Sequence, residues 1–527
     1  MTGVRSKRRR KGSSEFSVSD SGRLSNDGRL SRSPDVLILV ACLVSLVLTL
    51  MFWGTFGFTW ASSAYQLLDY NLLASDALRS LWYCHAQPPL FNALTAVGLK
   101  LSLALRMWPG VIFAIFNLAL VVLSVWCVAR LIEEYVSEPR VRWLLVLAYV
   151  LNPSVYAYSG QWFYDLLCYG WFLVFLAGWL IWMKGGRLVA YAASVGGAVL
   201  LVWTRSHFSV PFAGVLVILS GLSRWYVTGR GHRAWPMVAA IGLAVMAFWP
   251  AKNAMLFGMP ASSSWESYTL ARATPWASAW YGDFYRNEAL DMEAVRRCPY
   301  QHPVLLCRTK SPYFGAAEGP NWNHYKLLLM REPYVRRGVE WRLHHRREWM
   351  EHAAFFYTKA CLHDAAHLLQ QPSRGWGHRF WTMLDLPNRC VLYADLTSLL
   401  PSGCLHALET IKIRLVGWLS ADEWVPVQVS AFALLVLPGF AAMALGFLVR
   451  GSREERVAAV VYLITMGYMF GTTILTDGNE GYRMVFAVKG GHIMLGLCGL
   501  RRVAKWWRRR HDRQRLTAVR TADCPRS

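Results

Sequence analysis

The stretch QWFYDLLCYGWFLVFLAGWLIWM, residues 161–183, decides the fold. From Leu166 to Met183 it carries no charged side chain. A helix of roughly 20 apolar residues crosses a hydrocarbon core of about 30 Å, and this run has that length. Its neighbours repeat the pattern. Apolar runs predict spanning helices at about 35–58, 109–130, 143–158, 161–183, 188–203, 209–223, 236–257, 425–449, 457–475 and 484–500. Backbone groups in hydrocarbon must find partners within their own segment, so an all-α polytopic membrane protein with about ten transmembrane helices is expected.

Composition agrees, since 54% of the 527 residues are hydrophobic and only 17% are charged. The net charge of +24 could suit nucleic acid, but it is concentrated in RSKRRRK at 5–11 and KWWRRRHDRQR at 505–515. Basic flanks of this kind mark the cytoplasmic side of a membrane and attract its anionic lipids. Membrane lipids are therefore expected partners and nucleic acid is not.

Placing both termini in the cytoplasm puts the basic loops 130–142, 184–187, 224–233 and 450–456 inside as well. The crossings must then be even in number, so Pro89–Trp108, which contains Lys100 and Arg106, is predicted to lie along the outer surface. The resulting organisation is a disordered basic cytoplasmic tail at 1–34, a transmembrane module at 35–258 and an extracytoplasmic helical domain at 259–424. C-terminal transmembrane helices follow at 425–503, then a basic cytoplasmic tail at 504–527. The first apolar run is too long for a cleavable signal. Among the outer cysteines, Cys298 with Cys307 and Cys390 with Cys404 are the nearest pairs, and five free thiols are the alternative.

The first outer loop reads SAYQLLDYNLLASDALRSLWYCHAQPPLFNAL, residues 63–94, and a late segment reads TDGNEGYRMVF, residues 476–486. A juxtamembrane loop with an acidic residue and then His before Pro-Pro-Leu resembles the glycosyltransferase C superfamily. That superfamily includes protein O-mannosyltransferases and bacterial transferases that add aminoarabinose to lipopolysaccharide. The His85–Asn92 signature, His-x-Gln-Pro-Pro-Leu-Phe-Asn, is most similar to a bacterial subgroup of transferase-like proteins, to which PNWNH at 320–324 also points. Better-known members carry an acidic residue nearer the first helix, whereas this loop has none before Asp69.

The resemblance implies a seven-crossing module followed by an inserted outer domain, in a bacterial plasma membrane. It implies a polyprenyl-phosphate-linked sugar donor, an extracytoplasmic lipid, glycan or protein acceptor, and no metal or other cofactor. Such a transfer needs a base for the acceptor's proton and cations for the departing phosphate. Asp69 and Asp165 are the carboxylates placed to act as that base. Asp165 also suits the first turn of a helix, where a negative charge is favourable, and capping accounts for Asp76. Arg205 in TRSHF, Lys252 in PAKN and Arg483 lie at outer helix ends, against the positive-inside bias, and are candidate phosphate ligands. Snorkelling is the alternative for each.

His85, Gln87 and Glu480 complete the candidate substrate contacts. His363 and His367 share a helical face but lack a third ligand for zinc. Trp82, Tyr83, Trp265, Trp276, Trp280 and Tyr281 read first as an interfacial aromatic belt. A transporter or lipid flippase is the competing class, although no internal repeat supports it. A catalytically inactive transferase-like scaffold is the third.

Overall fold

The computed structural model describes residues 33–56, 58–60, 68–151, 153–272, 274, 287–306, 308–310, 318–348, 350, 437–476 and 487–522. They are mostly helical. In chain order the elements are α1 (Ser33–Phe56), β1 (Thr59–Trp60), α2 (Tyr70–Ser75), α3 (Ala77–Tyr83), α4 (Leu90–Leu105) and α5 (Pro109–Tyr135). Next come α6 (Pro139–Val150), α7 (Pro153–Ser159), β2 (Gln161–Trp162), α8 (Tyr164–Gly185), α9 (Leu188–Thr204), α10 (Val210–Thr228) and α11 (Trp235–Phe257). The 259–350 segment contributes α12 (Trp265–Arg272), α13 (Glu288–Arg297), α14 (Pro303–Leu306), the hairpin β3 (Arg308–Lys310) with β4 (Glu318–Pro320), and α15 (Tyr325–His344). Then follow α16 (Leu437–Arg450), α17 (Arg453–Thr476) and α18 (Gly490–Ala522).

Among the described residues, α5, α8, α10 and α11 have the length and apolar composition to cross a membrane, and the apolar helices α4 and α9 are shorter. Local chemistry sets their ends. α5, α6, α10 and α11 carry proline as their first or second residue, where its missing N–H would have no helical partner. Gly186, Gly229 and Gly258 close α8, α10 and α11 at φ of 69°, 70° and 64°, a left-handed conformation that glycine adopts without steric cost.

Helix α8 is the most enclosed, packed by α5, α9, α10 and α18. Its crossing with α9 brings backbone against backbone. A Cβ built on Gly178 would lie 2.7 Å from the Ala190 carbonyl oxygen, and one on Gly197 would lie 2.7 Å from the Trp171 carbonyl oxygen. Small residues at such a crossing replace side-chain interdigitation by direct main-chain contact. On the other flank the indoles of Trp179 and Trp182 donate to Ser223 Oγ (2.9 Å) and the Ser220 carbonyl (3.1 Å) on α10. Buried indole N–H groups without partners would be costly.

Two features differ from the apolar-run reading. The predicted span 143–158 is two helices, α6 and α7, because Pro153 offers no N–H to continue the hydrogen-bond ladder of α6. The last helix, predicted at 484–500, begins at Gly490 among the described residues and runs through Ala522, so most of 504–527 continues the same rod. The Pro89–Trp108 run forms α4, ended by Arg106 at φ 54°. Its 16 residues extend about 24 Å at 1.5 Å per residue, less than a full hydrocarbon core.

The two ends of the bundle differ in chemistry. At one, Arg130 pairs with Glu133 (2.8 Å), Lys184 with Glu134 (3.3 Å) and Arg501 with Glu454, while Arg508 donates to Ser137 Oγ (3.3 Å). Arg224 there donates to the carbonyls of Trp182, Met183 and Lys184 in the last turn of α8, whose dipole favours a cation. The basic loops predicted to share one side thus gather together. At the opposite end Thr59 and Trp60 pair in parallel with Gln161 and Trp162, tying the exit of α1 to the entry of α8.

Candidate functional site

The loop joining α3 to α4 carries the HAQPP run, and its residues Cys84 to Pro89 are all buried. His85 has no solvent exposure. Its Nε2 lies 2.7 Å from the Asn323 carbonyl oxygen and its Nδ1 lies 2.7 Å from Ser264 Oγ. A carbonyl only accepts, so Nε2 holds the proton, and Nδ1 accepts from the Ser264 hydroxyl. Asn323 Oδ1 in turn accepts the backbone N–H groups of His85 (3.1 Å) and Ala86 (2.9 Å) and the Cys84 thiol (3.3 Å). The Ser264 N–H donates to the His85 carbonyl at 2.9 Å, and Ser263 Oγ donates to the Ala86 carbonyl. Around this lock Ala86 packs with Tyr268, Trp322, Leu327, Met330 and Tyr334.

Lys252, on α11, is also fully buried. Its Nζ donates to the carbonyls of Trp82 (3.0 Å) and Cys84 (2.7 Å) and stands 3.7 Å from the Trp249 ring centre. A cation at these carbonyls satisfies the end of α3, where acceptors lack helical partners. Lys252 therefore anchors the loop.

Burial, followed by the nearby Lys252 charge, lowers the His85 pKa from 6.5 to about 3. A folded value below the unfolded one contributes stability that is complete above about pH 6.5 and lost as pH falls toward 3. Apparent melting temperature in detergent should therefore drop across this window, with a His85 contribution of at most about 1.4 kcal/mol per pH unit. His85→Gln should flatten the drop. Identical pH profiles for the two proteins would show that His85 is not held neutral.

Beyond the loop, Ser206 Oγ approaches Gln87 Oε1 at 3.5 Å. Ser206 follows Arg205, which caps the C-terminal end of α9, and Arg205 Nη1 bonds Asp165 Oδ1 at 3.0 Å. The side chains of Arg205 and Asp165 are 2% and 6% exposed, which makes this a buried ion pair. Asp165 stands in the first turn of α8. Each charge thus faces the helix end whose dipole favours it. The Arg205 guanidinium also lies over the Tyr164 ring at 4.5 Å. The structure pairs Asp165 with Arg205 and ties Gln87 to the residue after Arg205, while Lys252 and His85 fix the loop that carries Gln87.

Asp69 is exposed and caps α2, accepting the N–H groups of Asn71 (2.8 Å) and Leu72 (3.2 Å). Asp76 occupies the cap position of α3 but makes no side-chain cap bond. Its Oδ2 instead meets His302 Nε2 at 3.3 Å, so a hydrogen-bond partner from the 259–350 segment replaces the expected cap. Glu480 and Arg483 lie outside the described residues, as do His363, His367, Trp276, Trp280 and Tyr281. Cys298 is a free thiol that donates to the Tyr300 carbonyl at 3.0 Å, while Cys307, Cys361, Cys390 and Cys404 also lie outside the described residues. Among the described residues, no three His, Cys, Asp or Glu side chains gather as a metal-binding set.

Sequence reasoning missed Ser206, Ser264 and Asn323. PNWNH was visible as a motif, but nothing in it named the HAQPP loop as its partner. No family model, curated protein or solved structure matches the chain.

Proposed function

We propose that the chain is a membrane glycosyltransferase of the glycosyltransferase C kind, moving a sugar from a polyprenyl-phosphate donor to an extracytoplasmic lipid, glycan or protein. In this reading the chain crosses a bacterial plasma membrane ten times, with both termini and the arginine-rich end in the cytoplasm and the HAQPP loop outside. The observation that carries it is the buried Asp165–Arg205 pair beside Gln87, at the end of the bundle opposite the basic loops. In this reading that end faces the outer leaflet, where a lipid-linked donor would present its phosphate to the pair.

The acceptor oxygen attacks the anomeric carbon, the bond to the phosphate oxygen breaks, and the phosphate departs with the electron pair. Arg205 holds that charge, in a setting where few waters screen it. Asp165 takes the acceptor's proton. Asp69 is the second candidate base, but its carboxylate is engaged in capping α2, which favours Asp165. Gln87 orients the donor headgroup, and Glu480 and Arg483 supply further contacts. A single displacement inverts the anomeric centre.

A second reading, an inactive transferase-like scaffold, draws support from one observation: His85 and Lys252 are wholly engaged within the protein. Reconstituted protein supplied in turn with polyprenyl-phosphate hexoses and pentoses, in the presence of a membrane lipid and glycan extract, separates the two. Release of polyprenyl phosphate with sugar transfer is the expected outcome. No release with any donor would favour the scaffold.

A further inference from the structure

We propose that Asn323 is a positioning residue: it locks the Cys84–Ala86 backbone so that Gln87 is held against Ser206, next to the Asp165–Arg205 pair. Asn323 lies 238 residues from His85 and is 1% exposed. One side-chain oxygen gathers three donors from consecutive residues, and the backbone carbonyl of the same residue takes the His85 ring N–H. Its own N–H donates to Asn321 Oδ1 at 2.8 Å, and the His324 N–H donates to the Asn321 carbonyl at 2.9 Å, so the turn presenting it is itself braced. Trp322 packs into the cluster that encloses Ala86. The Cys84–Ala86 part of the loop between α3 and α4 is thus bonded by the 259–350 segment and by Lys252.

The chain connects this lock to the polar pair in two steps. Ala86 is immobilised on one side by Asn323 Oδ1 and on the other by Ser263 Oγ, and Gln87 is the next residue. Pro88 and Pro89 follow, each with φ fixed by its ring, so Gln87 has little freedom in either direction. Releasing Oδ1 would loosen the backbone that aims the Gln87 amide at Ser206. The lock is read from geometry, and what it positions for chemistry rests on the transferase reading.

Hydrogen–deuterium exchange of the full chain in micelles tests the lock without an activity assay. In Asn323→Ala, exchange in peptide 84–90 should rise by about tenfold, the effect of losing on the order of one net hydrogen bond's protection. Exchange in peptide 203–209 should rise with it, while peptides of α8 stay protected. Asn323→Asp, which keeps the acceptor oxygen, should restore protection relative to Asn323→Ala. If the alanine variant loses protection throughout α8, Ser264→Ala, which removes only the His85 Nδ1 partner, should give the same local pattern at smaller amplitude.

Unchanged exchange at 84–90 would overturn the lock, and a rise there without one at 203–209 would overturn the positioning role. In the transfer assay Asn323→Ala should lower kcat by about 10²-fold, with donor KM changed little, because misplacement of a reacting geometry falls on turnover. Wild-type protein without transfer from any donor would sink the transferase reading, while the two exchange peptides would still decide the proposal about Asn323.

Discussion

Replacing Arg205 with methionine should destabilise the protein by about 3–5 kcal/mol, the usual cost of stranding one member of a buried ion pair. Asp165 would be left with little solvent and without its guanidinium partner. Asp165→Asn should also destabilise, though less, since the amide still accepts a hydrogen bond while Arg205 retains Tyr164 beneath it. The double variant should recover much of the loss, giving a coupling energy well outside the few tenths found for independent sites. Denaturant or thermal unfolding of the four proteins in one detergent measures the cycle. Additive losses would mean that the two groups do not stabilise each other, and the polar centre of the site would lose its energetic basis.

Turnover should respond more sharply than stability. Asp165→Asn should lower kcat by about 10²- to 10⁴-fold, the range for removal of a positioned general base. Asp69→Asn should leave kcat within a few-fold, because an asparagine side chain also caps a helix by accepting backbone N–H groups. Both variants need comparison at matched amounts of folded protein with saturating donor. The reverse ranking would move the base to Asp69 and make Asp165 an orienting partner of Arg205. Full turnover in both would remove the two carboxylates from the chemistry altogether.

Apolar period and length were enough to find α5, α8, α10 and α11, because a bilayer imposes a length that the sequence must meet whatever its neighbours are. The same averaging hid the break at Pro153. A run from Trp143 to Tyr158 satisfies hydropathy whether or not its hydrogen bonds are continuous. The site was legible in part. Asp165 and Arg205 stood out as charges at helix ends, and their meeting follows from the up-and-down order of α8 and α9. Lys252 was harder to assign, since a lysine at a helix end reads alike whether it binds phosphate or protein. Only tertiary contact reveals that its partners are the carbonyls of Trp82 and Cys84, 170 and 168 residues away. Asn323 and Ser264 had no reading for the same reason: their partners lie in the Cys84–Ala86 stretch, far away in sequence, and are in large part backbone groups, which carry no sequence signature.

Helices α8 and α9 meet so closely that they behave as a stator. Sliding α9 by one turn, about 5.4 Å, would bring Ala193 or Leu201 to the place of Gly197, where even a Cβ would strike the backbone of α8. Shear along this interface, the motion by which packed helices commonly adjust, is therefore blocked by the main chain itself. Asp165 at the start of α8 and Arg205 at the end of α9 are therefore held in fixed register with each other.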